Sequence, residues 1–372
     1  SSRLFGIVCR CSSPFLRGDA MGQMDTAVVI LNWNGQRWLE QFLPQVVDQT
    51  VGDARVIVAD NGSTDGSLAW ITANLPSVEV IAMPENKGFA GGYNEALKQV
   101  EAKYFLLLNS DVEVTPGWAR TLRDHLEARP HMAACQPKML SHQQRTTFEH
   151  AGAAGGFIDR NGYPFCRGRI FDITEDDQGQ YDDDRDVFWA TGACLMIRAE
   201  AFRQAGGFDE RLFAHMEEID LCWCLRRMGW RIGYTSAATV YHVGGGALGY
   251  GDPRKTFLNF RNSLAVLTKH LDTRWIYARI FHRLTLDGLA AVKFFLEGHA
   301  AHAWQVGKAH RQFFRWFPSL MRERKRLRAV EHHPDLTGMY HRSIAYDRYI
   351  IGWRKFTELD QSQFDQPSRR RR

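Results

Sequence analysis

The stretch AVVILNWNG at residues 27–35 decides the fold class, because a run of apolar, strand-forming residues ends there abruptly in polar, turn-forming ones. The same change recurs in RVIVADNGSTDG at 55–66 and in YFLLLNSDVEV at 104–114. Between these runs lie helix-like segments and one further strand-like run, at 37–48, 67–75, 78–83 and 90–100. Short aliphatic runs that alternate with amphipathic segments are typical of βαβ units. The sequence therefore predicts an α/β fold, a largely parallel sheet with helices on both faces.

Polar side chains follow each of these predicted strands at the point where the strand ends. They include Asn34 after the first, Asp60 and Asn61 after the second, and Asn109 and Asp111 after the fourth. Each loop alone is typical of an ordinary turn, and Asp111 alone is more often a helix N-cap. Ligands of open α/β sheets bind at the carboxyl ends of the strands, however, and a carboxylate there can reach a hard cation. Three such loops in register therefore predict a ligand site at this edge.

A carboxylate cluster lies in FAHMEEIDLCW at 213–223, which reads as the start of a helix. Successive helical side chains point about 100° apart, so Glu217 and Asp220 share one side while Glu218 points elsewhere. The alternative interpretation is favourable negative charge in the first helical turn. The pattern predicts that one carboxylate faces a cleft while the others orient neighbouring groups.

Two further stretches carry residues suited to binding a diphosphate. His242 ends a short apolar strand and precedes Gly-Gly-Gly, and a neutral imidazole is a good ligand for a divalent ion. ENKGFAGGYN at 85–94 places Lys87 and Gly88 at the start of a helix, where backbone N–H groups bind phosphate. It is neither a Walker loop nor a clean G-x-G-x-x-G motif. Both stretches favour phosphate contact, and an ordinary polar strand end remains the alternative for His242.

The second half of the chain is mixed in character. Residues 187–198 read as strands around a turn at Thr191 and Gly192, and 231–234 and 239–242 read as two short strands. From about residue 257 the sequence becomes helical and rich in aromatic and basic residues.

The composition excludes several classes of protein. A net charge of +5 over 372 residues, with basic runs at 322–328 and 369–372 outside any known module, does not predict nucleic-acid binding. Seven cysteines without paired C-x-x-C motifs predict neither structural zinc nor a disulfide framework, and fit a reducing cytoplasm. No apolar run is long enough to predict a transmembrane helix.

As an ordered set, the motifs resemble glycosyltransferase family 2, particularly its rhamnosyltransferase-like members. The resemblance covers residues 27–248 and is carried by VVILNWNG, IVADNGSTDGS, ENKGFAGGYNEAL, LLLNSDVEV, TGACLMIR, GGFDERLFAHMEEIDLCWCLRRMGWRIGY and VYHVGGGAL. It implies the GT-A fold, a nucleotide diphosphate sugar donor, a Mn²⁺ or Mg²⁺ ion, and inversion at the anomeric carbon. It also implies a glycan or lipid-linked saccharide acceptor in cell-envelope polysaccharide synthesis, with rhamnose as a candidate sugar.

The resemblance also assigns roles on the donor side of the site. It implies that Asp60 pairs with the nucleobase, with Asn34, Asn61, Lys87 and Gly88 close to the nucleotide.

Asp111 matches the last position of the family's D-x-D motif and is implied to bind the metal together with His242. Asn109 stands where the family has the first Asp of that motif, a departure that weakens metal affinity or shifts work to Glu113.

Around the transferred sugar, the resemblance makes Glu218 the catalytic base, at a position where Asp is commoner. Glu217, Trp189, Thr191 and Gly192 are implied to shape the donor and acceptor pocket.

These observations predict four regions: a disordered extension over 1–26, a catalytic domain over 27–256, a helical region over 257–335 and a tail over 336–372. The helical region combines aromatic residues with the basic run at 322–328, which fits an interfacial helix on the inner face of the cell membrane. Helices packed on the catalytic domain or on a second copy in a homodimer are the alternative. A second functional hypothesis is a non-catalytic nucleotide-sugar-binding or scaffold protein whose site has drifted, suggested by Asn109 and Glu218.

Overall fold

The computed structural model describes residues 24–244, 251–329 and 335–366. The predicted extension over 1–26 therefore lies almost wholly outside the described residues, as do most of the glycine run after His242 and the basic run at 369–372.

Fourteen strands are present in this part of the chain. They are β1 Thr26–Asn32, β2 Arg55–Asp60, β3 Glu79–Ala82, β4 Tyr104–Asn109, β5 Val112–Val114, β6 Met132–Ser141, β7 Gly156–Asp159, β8 Pro164–Cys166, β9 Arg169–Ile170, β10 Ile173–Thr174, β11 Asp184–Val187, β12 Cys194–Arg198, β13 Arg231–His242 and β14 Met339–Tyr340. The main helices are α1 Gln36–Asp48, α2 Ser67–Asn74, α3 Gly88–Leu97, α4 Trp118–Glu127, α5 Ala199–Ala205, α6 Glu217–Arg227, α7 Pro253–His270, α8 Ile276–Leu296 and α9 Ala300–Ala329.

The central sheet has the order β11-β13-β6-β12-β4-β1-β2-β3, with β5 paired to β13. Strands β3, β2, β1 and β4 run parallel, as the βαβ pattern predicts. Strand β12 is antiparallel to both β4 and β6, and β13 runs parallel to β6. The predicted α/β class, with a mixed sheet, is therefore confirmed. As a consequence, the ends of β1, β2, β4 and β13 and the start of β12 meet at one edge of the sheet.

Alternate residues of β1 explain why its sequence is apolar throughout. Val28 and Ile30 pack into a core with α1 on one face, whereas Ala27 and Val29 pack into a second core with α3 on the other. A strand covered by helices on both faces reads as a continuous apolar run rather than an alternating one.

One strand differs from the prediction. The sequence predicts two short strands at 231–234 and 239–242, but β13 is continuous from Arg231 to His242. Its pairing with β6 shifts register between Thr235 and Thr239, so the strand bends there without ending.

The C-terminal segments pack against the rest of the chain. A second sheet, of order β10-β9-β8-β7-β14, includes a strand from the region predicted as a tail. Tyr340, Phe356 and Phe364 of that region are buried in the core. In the helical region, α7 packs against α6 and α9. No helix in the described ranges is long and apolar enough to cross a membrane.

Candidate active site

A cavity of about 1040 Å³ opens at the carboxyl edge of the central sheet. We call it the sheet-edge cavity. Ten residues that the sequence singled out line it: Asn34, Asn61, Gly88, Asn109, Asp111, Thr191, Gly192, Glu217, Glu218 and His242. The fold thus brings together residues that are spread over more than half of the chain.

Asp111 and His242 form the polar centre of the sheet-edge cavity. Asp111 lies in the short turn between β4 and β5, and β5 pairs with β13 so that His242 lies opposite Val112. The His242 Nε2 atom is 3.2 Å from Asp111 Oδ1, and its Nδ1 atom is 3.3 Å from Glu149 Oε2. All three side chains are buried. A histidine is therefore held between two carboxylates.

The charges at this centre shift one another's pKa values. Burial lowers the pKa of His242, but Asp111 and Glu149 outweigh burial and raise it to about 10. Burial raises the pKa of Asp111 and of Glu149, yet His242 leaves both carboxyl pKa values below their usual range. The trio therefore has a net negative charge at neutral pH, and a divalent cation bound by His242 would displace the proton of the ring, because only a neutral imidazole nitrogen can be a metal ligand.

The ligand atoms at this centre fit a hard divalent ion that takes its remaining ligands from a bound substrate. Asp111 Oδ2 is buried without a hydrogen-bond partner in the described residues. No group of three or more His, Cys, Asp or Glu within those residues is arranged to hold a metal alone. Mg²⁺ and similar ions are typically bound by one or two carboxylates together with substrate phosphates, so two protein ligands are sufficient.

Glu217 and Glu218 enter the sheet-edge cavity from the first turn of α6. The Oε2 atoms of both residues are buried and lack a hydrogen-bond partner in the part of the chain that the structure describes. Burial raises the pKa of Glu218 to about 7, and burial together with Glu218 raises that of Glu217 well above its ordinary value. A carboxyl group with a pKa near neutrality is suited to accept a proton.

Asp220 serves a different purpose from its two neighbours. Its carboxylate accepts hydrogen bonds from Lys269 Nζ and His270 Nε2 of α7, each at 2.8 Å. Burial raises the pKa of Asp220, but these partners outweigh burial and hold it below its usual range. The sequence predicts that Glu217 and Asp220 share one side of α6. In the structure their contacts differ, because Asp220 binds Lys269 and His270 of α7 whereas Glu217 lines the sheet-edge cavity.

The turn before α6 has an unusual backbone. Phe213, His215 and Met216 all have positive φ, which costs free energy in residues other than glycine. Asn262 of α7 donates hydrogen bonds from its side-chain amide to carbonyl groups of this turn, and Arg261 donates to the Leu212 carbonyl at 3.0 Å. A buried polar clamp therefore fixes the backbone that delivers Glu217 and Glu218.

On the opposite side of the sheet-edge cavity, three loops are joined by amide side chains. Asn34 accepts a hydrogen bond from the Thr64 backbone at 2.7 Å. Asn61 donates to the Gly88 carbonyl at 2.9 Å and accepts from the Lys87 backbone at 3.0 Å. The loops after β1, β2 and β3 are thus held in one arrangement.

Position 88 requires glycine for two reasons, its positive φ and the close packing around it. A Cβ atom there would lie 2.5 Å from the Phe213 ring. The Phe213 carbonyl accepts a hydrogen bond from the Phe89 backbone at 2.7 Å, so this contact joins the loop after β3 to the turn before α6.

Four predicted site residues do not line the sheet-edge cavity. Asp60 is buried behind it, where it accepts hydrogen bonds from Asn32 and from the Ser63 backbone, each at 3.0 Å. Trp189 is also buried, and its indole donates to the Phe157 carbonyl at 2.8 Å.

The other two are engaged in ion pairs. Glu113 pairs with His142 and Arg145, and Lys87 pairs with Glu95. The roles that the resemblance implies for these four residues stay predictions.

Sequence reasoning missed several residues of the sheet-edge cavity. Glu149 and His150 lie in a segment without a recognisable motif, and only the fold brings Glu149 to His242. Further missed residues include a polar group from α7 and α9: Arg254, Lys255, Gln305, Lys308, Arg311 and Gln312. A polar face at positions 305, 308 and 312 of the helical pattern was the available signal.

Comparisons with known proteins agree with this architecture. The family model described as glycosyl transferase family 2 matches residues 27–206. The N-acetylglucosaminyl-diphospho-decaprenol L-rhamnosyltransferase of Mycobacterium tuberculosis is 27% identical over 282 residues, which cover 72% of this chain and 90% of that protein.

Two solved structures share the fold. GalNAc-T7, crystallised with UDP, GalNAc and Mn²⁺, superposes with a TM-score of 0.54 and 14% identity, over 80% of this chain and 59% of that one. Residues 1–349 of TarS from S. aureus, in complex with UDP-GlcNAc, give a TM-score of 0.50 and 16% identity, over 77% and 80% of the two chains. The central sheet with its covering helices accordingly has the GT-A fold of these two structures, and residues 27–206, which form most of it, match glycosyl transferase family 2.

Proposed function

We propose that the chain transfers a sugar, with inversion, from a nucleotide diphosphate donor to a hydroxyl group of a glycan or lipid-linked acceptor in cell-envelope polysaccharide synthesis. One observation carries this proposal. Glu218, whose Oε2 atom has no hydrogen-bond partner among the described residues, lines the same cavity as the Asp111–His242 pair. A single displacement needs a base for the acceptor and a centre that stabilises the departing diphosphate, and one cavity contains candidates for both.

In the proposed reaction, Glu218 accepts the proton of the acceptor hydroxyl as that oxygen attacks the anomeric carbon. The new bond joins the acceptor oxygen to the anomeric carbon, and the bond from that carbon to the diphosphate oxygen breaks on the opposite face. The nucleoside diphosphate leaves with the bonding electrons. One carboxylate is sufficient because the displacement has one step, and the anomeric configuration therefore inverts.

Asp111 and His242 would hold a Mn²⁺ or Mg²⁺ ion, which compensates the charge that develops on the departing diphosphate. The orphaned Asp111 Oδ2 atom supports this assignment. Glu149 contacts the opposite nitrogen of His242 and would fix the orientation of the ring.

The nucleotide would occupy the side of the cavity formed by Asn34, Asn61 and Gly88. The side-chain amide of Asn34 suits a nucleobase or ribose. The phosphate contact that the sequence favours at the start of α3 is not supported, because the backbone N–H groups of residues 87–90 already donate hydrogen bonds within the chain. Asp60, which does not line the cavity, would keep the loop after β2 in place through its hydrogen bonds with Asn32 and Ser63.

The relative from M. tuberculosis suggests the substrates. Its name specifies an L-rhamnosyl donor and an acceptor in which N-acetylglucosamine is linked through a diphosphate to decaprenol. We take rhamnose on a nucleotide diphosphate and a lipid-linked saccharide as the first substrates to try.

The test is a transfer assay with the full chain. Nucleotide diphosphate sugars, including a rhamnosyl donor, are offered with lipid-linked saccharide acceptors in the presence and absence of Mn²⁺. Metal-dependent formation of a product with inverted anomeric configuration, determined by NMR, supports the proposal. A product with retained configuration contradicts the single displacement.

A non-catalytic nucleotide-sugar-binding protein is the second candidate, and Asn109 at the first position of the D-x-D motif favours it. That candidate predicts nucleotide binding without transfer or donor hydrolysis. The Glu218 Oε2 atom, which is buried without a hydrogen-bond partner in the described residues, argues for the transferase, because a binding protein has no need of a buried base.

A further inference from the structure

The last long helix of the chain contributes directly to the sheet-edge cavity. Gln305, Lys308, Arg311 and Gln312 of α9 line it together with Glu218. Positions three and four apart on a helix share a face, so these side chains reach the cavity from one side of α9. The next face, with Val306, Ala309 and Phe313, is buried. The sheet-edge cavity therefore extends over the helical region and is not confined to the central sheet.

Two of these α9 residues are cations without a counter-ion. Lys308 and Arg311 form no ion pair within the described residues. Other buried cations of the helical region, in contrast, do have partners. Lys269 pairs with Asp209 and Asp220, and Arg324 donates to the carbonyl groups of Thr268 and Leu271.

Neighbouring cations repel each other, and they are stable in a partly enclosed cavity when an anion binds between them. A third cation, Arg254 of α7, lines the same cavity, again with no ion pair in the described ranges. The cavity thus offers positive charge on its helical side in addition to the Asp111–His242 centre.

This side is not where the donor is proposed to bind. The nucleotide side is formed by loops after β1, β2 and β3, and the donor diphosphate is assigned to Asp111 and His242. Helix α9 packs on α7, and α7 packs on α6, which carries Glu218. The cations of α9 therefore lie on the α6–α7 side of the cavity, which carries Glu218, and we take this side as the one that receives the acceptor.

We propose that Lys308 and Arg311, supported by Arg254, form an anion subsite for a phosphoryl group of the acceptor. The inference rests on the proposed function, because it takes Glu218 as the base that separates donor from acceptor. A phosphate or diphosphate that links the acceptor saccharide to its carrier satisfies the charge, and Gln305 and Gln312 add amide donors beside it.

The experiment measures binding by calorimetry with the full chain. Geranyl diphosphate, inorganic pyrophosphate and neutral geraniol are titrated into protein that is saturated with UDP or dTDP and Mn²⁺. The test variant is Lys308→Gln with Arg311→Gln. The matched control, Arg315→Gln with Lys325→Gln, removes two cations from exposed positions of the same helix that do not line the cavity.

Geranyl diphosphate is expected to bind at least about tenfold more weakly to the test variant than to the control, because the variant loses two charge-assisted hydrogen bonds to the phosphoryl group. Nucleotide affinity is expected to be equal in both variants. Tighter binding of geranyl diphosphate than of pyrophosphate identifies a lipid carrier, and equal binding identifies a soluble phosphate-bearing acceptor. Either result supports the subsite.

Three results would overturn the proposal: unchanged affinity in the test variant, equal binding of geraniol and geranyl diphosphate, or a parallel loss of nucleotide affinity. The last would reassign the cations to the donor. Failure of the proposed function is seen separately, since the native chain would then transfer no sugar, whether or not it binds nucleotide.

Discussion

The side-chain amide of Asn262 donates a hydrogen bond of 2.9 Å to the carbonyl oxygen of Leu212. The same amide also reaches the carbonyls of Ala214 and His215, at 2.9 and 2.7 Å. The two N–H groups of one buried side chain of α7 are thereby shared among three carbonyl groups of the turn that precedes the proposed base. Because this turn contains three non-glycine residues with positive φ, it needs such support to keep one conformation.

We predict that Asn262→Ala lowers kcat by about 10- to 100-fold, because small misplacements of a catalytic group are costly. KM for the donor is expected to change much less, since the nucleotide side is untouched. The carbonyl groups of Ala214 and His215 also lose this donor, while that of Leu212 keeps Arg261, which lowers the free energy of unfolding by about 1–3 kcal/mol. The measurements are steady-state kinetics and thermal unfolding.

The matched control is Asn74→Ala, which removes an exposed amide that donates to one carbonyl in α2. A loss of kcat in Asn262→Ala that only follows the unfolded fraction would reduce Asn262 to a purely structural residue.

Glu218 determines the expected pH dependence of the reaction. Its pKa is raised by burial to about 7, and only the carboxylate form can accept a proton. We predict that kcat/KM rises with pH, reaches half of its maximum near pH 7 and levels off above. Glu218→Gln is expected to be at least about 100-fold slower and to lack this rise. Glu101→Gln, at an exposed position, is the control, and a native profile that is flat from pH 6 to 8 would refute the assignment.

The same pKa shift predicts an effect on stability. The pKa of Glu218 is higher in the folded chain than its ordinary value of 4.5, so the folded state holds this proton more tightly than the unfolded state. The resulting contribution is fully present below about pH 4.5 and is lost as pH rises through 7. Glu218→Gln cannot ionise, so its Tm should fall less between pH 5 and 8 than that of the native chain. Equal losses of Tm in both proteins would argue against a raised pKa.

Removal of one carboxylate tests the proposed metal site. We predict that the native chain is stabilised by UDP or dTDP more strongly with Mn²⁺ than with EDTA, and that Asp111→Asn loses this metal-dependent increment. The reason is that a neutral amide is a much poorer ligand than a carboxylate for a hard cation. Asp124→Asn, which changes an exposed carboxylate, should keep the increment. A full increment in Asp111→Asn would move the metal elsewhere or remove it from the mechanism.

The parts of the fold that sequence reasoning predicted are those fixed by local pattern. The apolar runs at β1, β2 and β4 and the polar residues that follow them specify both the sheet and its ligand edge. Asp111, Glu218 and His242 could be named for the same reason, because each lies at the end of a regular element.

The rest depends on contacts between residues that are remote in the sequence. Glu149 has no local signal, and only the pairing of β13 with β6 brings His242 beside it. The position of Lys308 and Arg311 in the cavity could not be predicted for a different reason. The amphipathic pattern of α9 indicates that one face is buried, but it cannot say that the neighbouring face lines a cavity.

An exposed apolar stripe on α8 leads to a last prediction, that the chain associates peripherally with a membrane. Tyr277, Phe281, Leu289, Val292 and Leu296 occupy one face of α8, and Phe281 and Leu296 are 73% and 78% exposed. The opposite face is anchored, since the Arg283–Asp287 pair is buried and Arg283 donates to the Asn161 carbonyl. An outward apolar stripe on a fixed helix suits the interfacial region of a bilayer, where a lipid-linked acceptor would also be found.

We expect the full chain to float with vesicles that contain anionic lipid. The triple variant Phe281→Ser, Leu289→Ser and Leu296→Ser is expected to reduce this binding by at least about tenfold, because each buried apolar side chain contributes about 1.5–3 kcal/mol. Val51→Ser with Val80→Ser, which alters exposed apolar residues near β2 and in β3, should float like the native chain. If the triple variant instead changes the mass measured by light scattering while vesicle binding stays the same, the stripe is the interface of a homodimer and the membrane assignment is wrong.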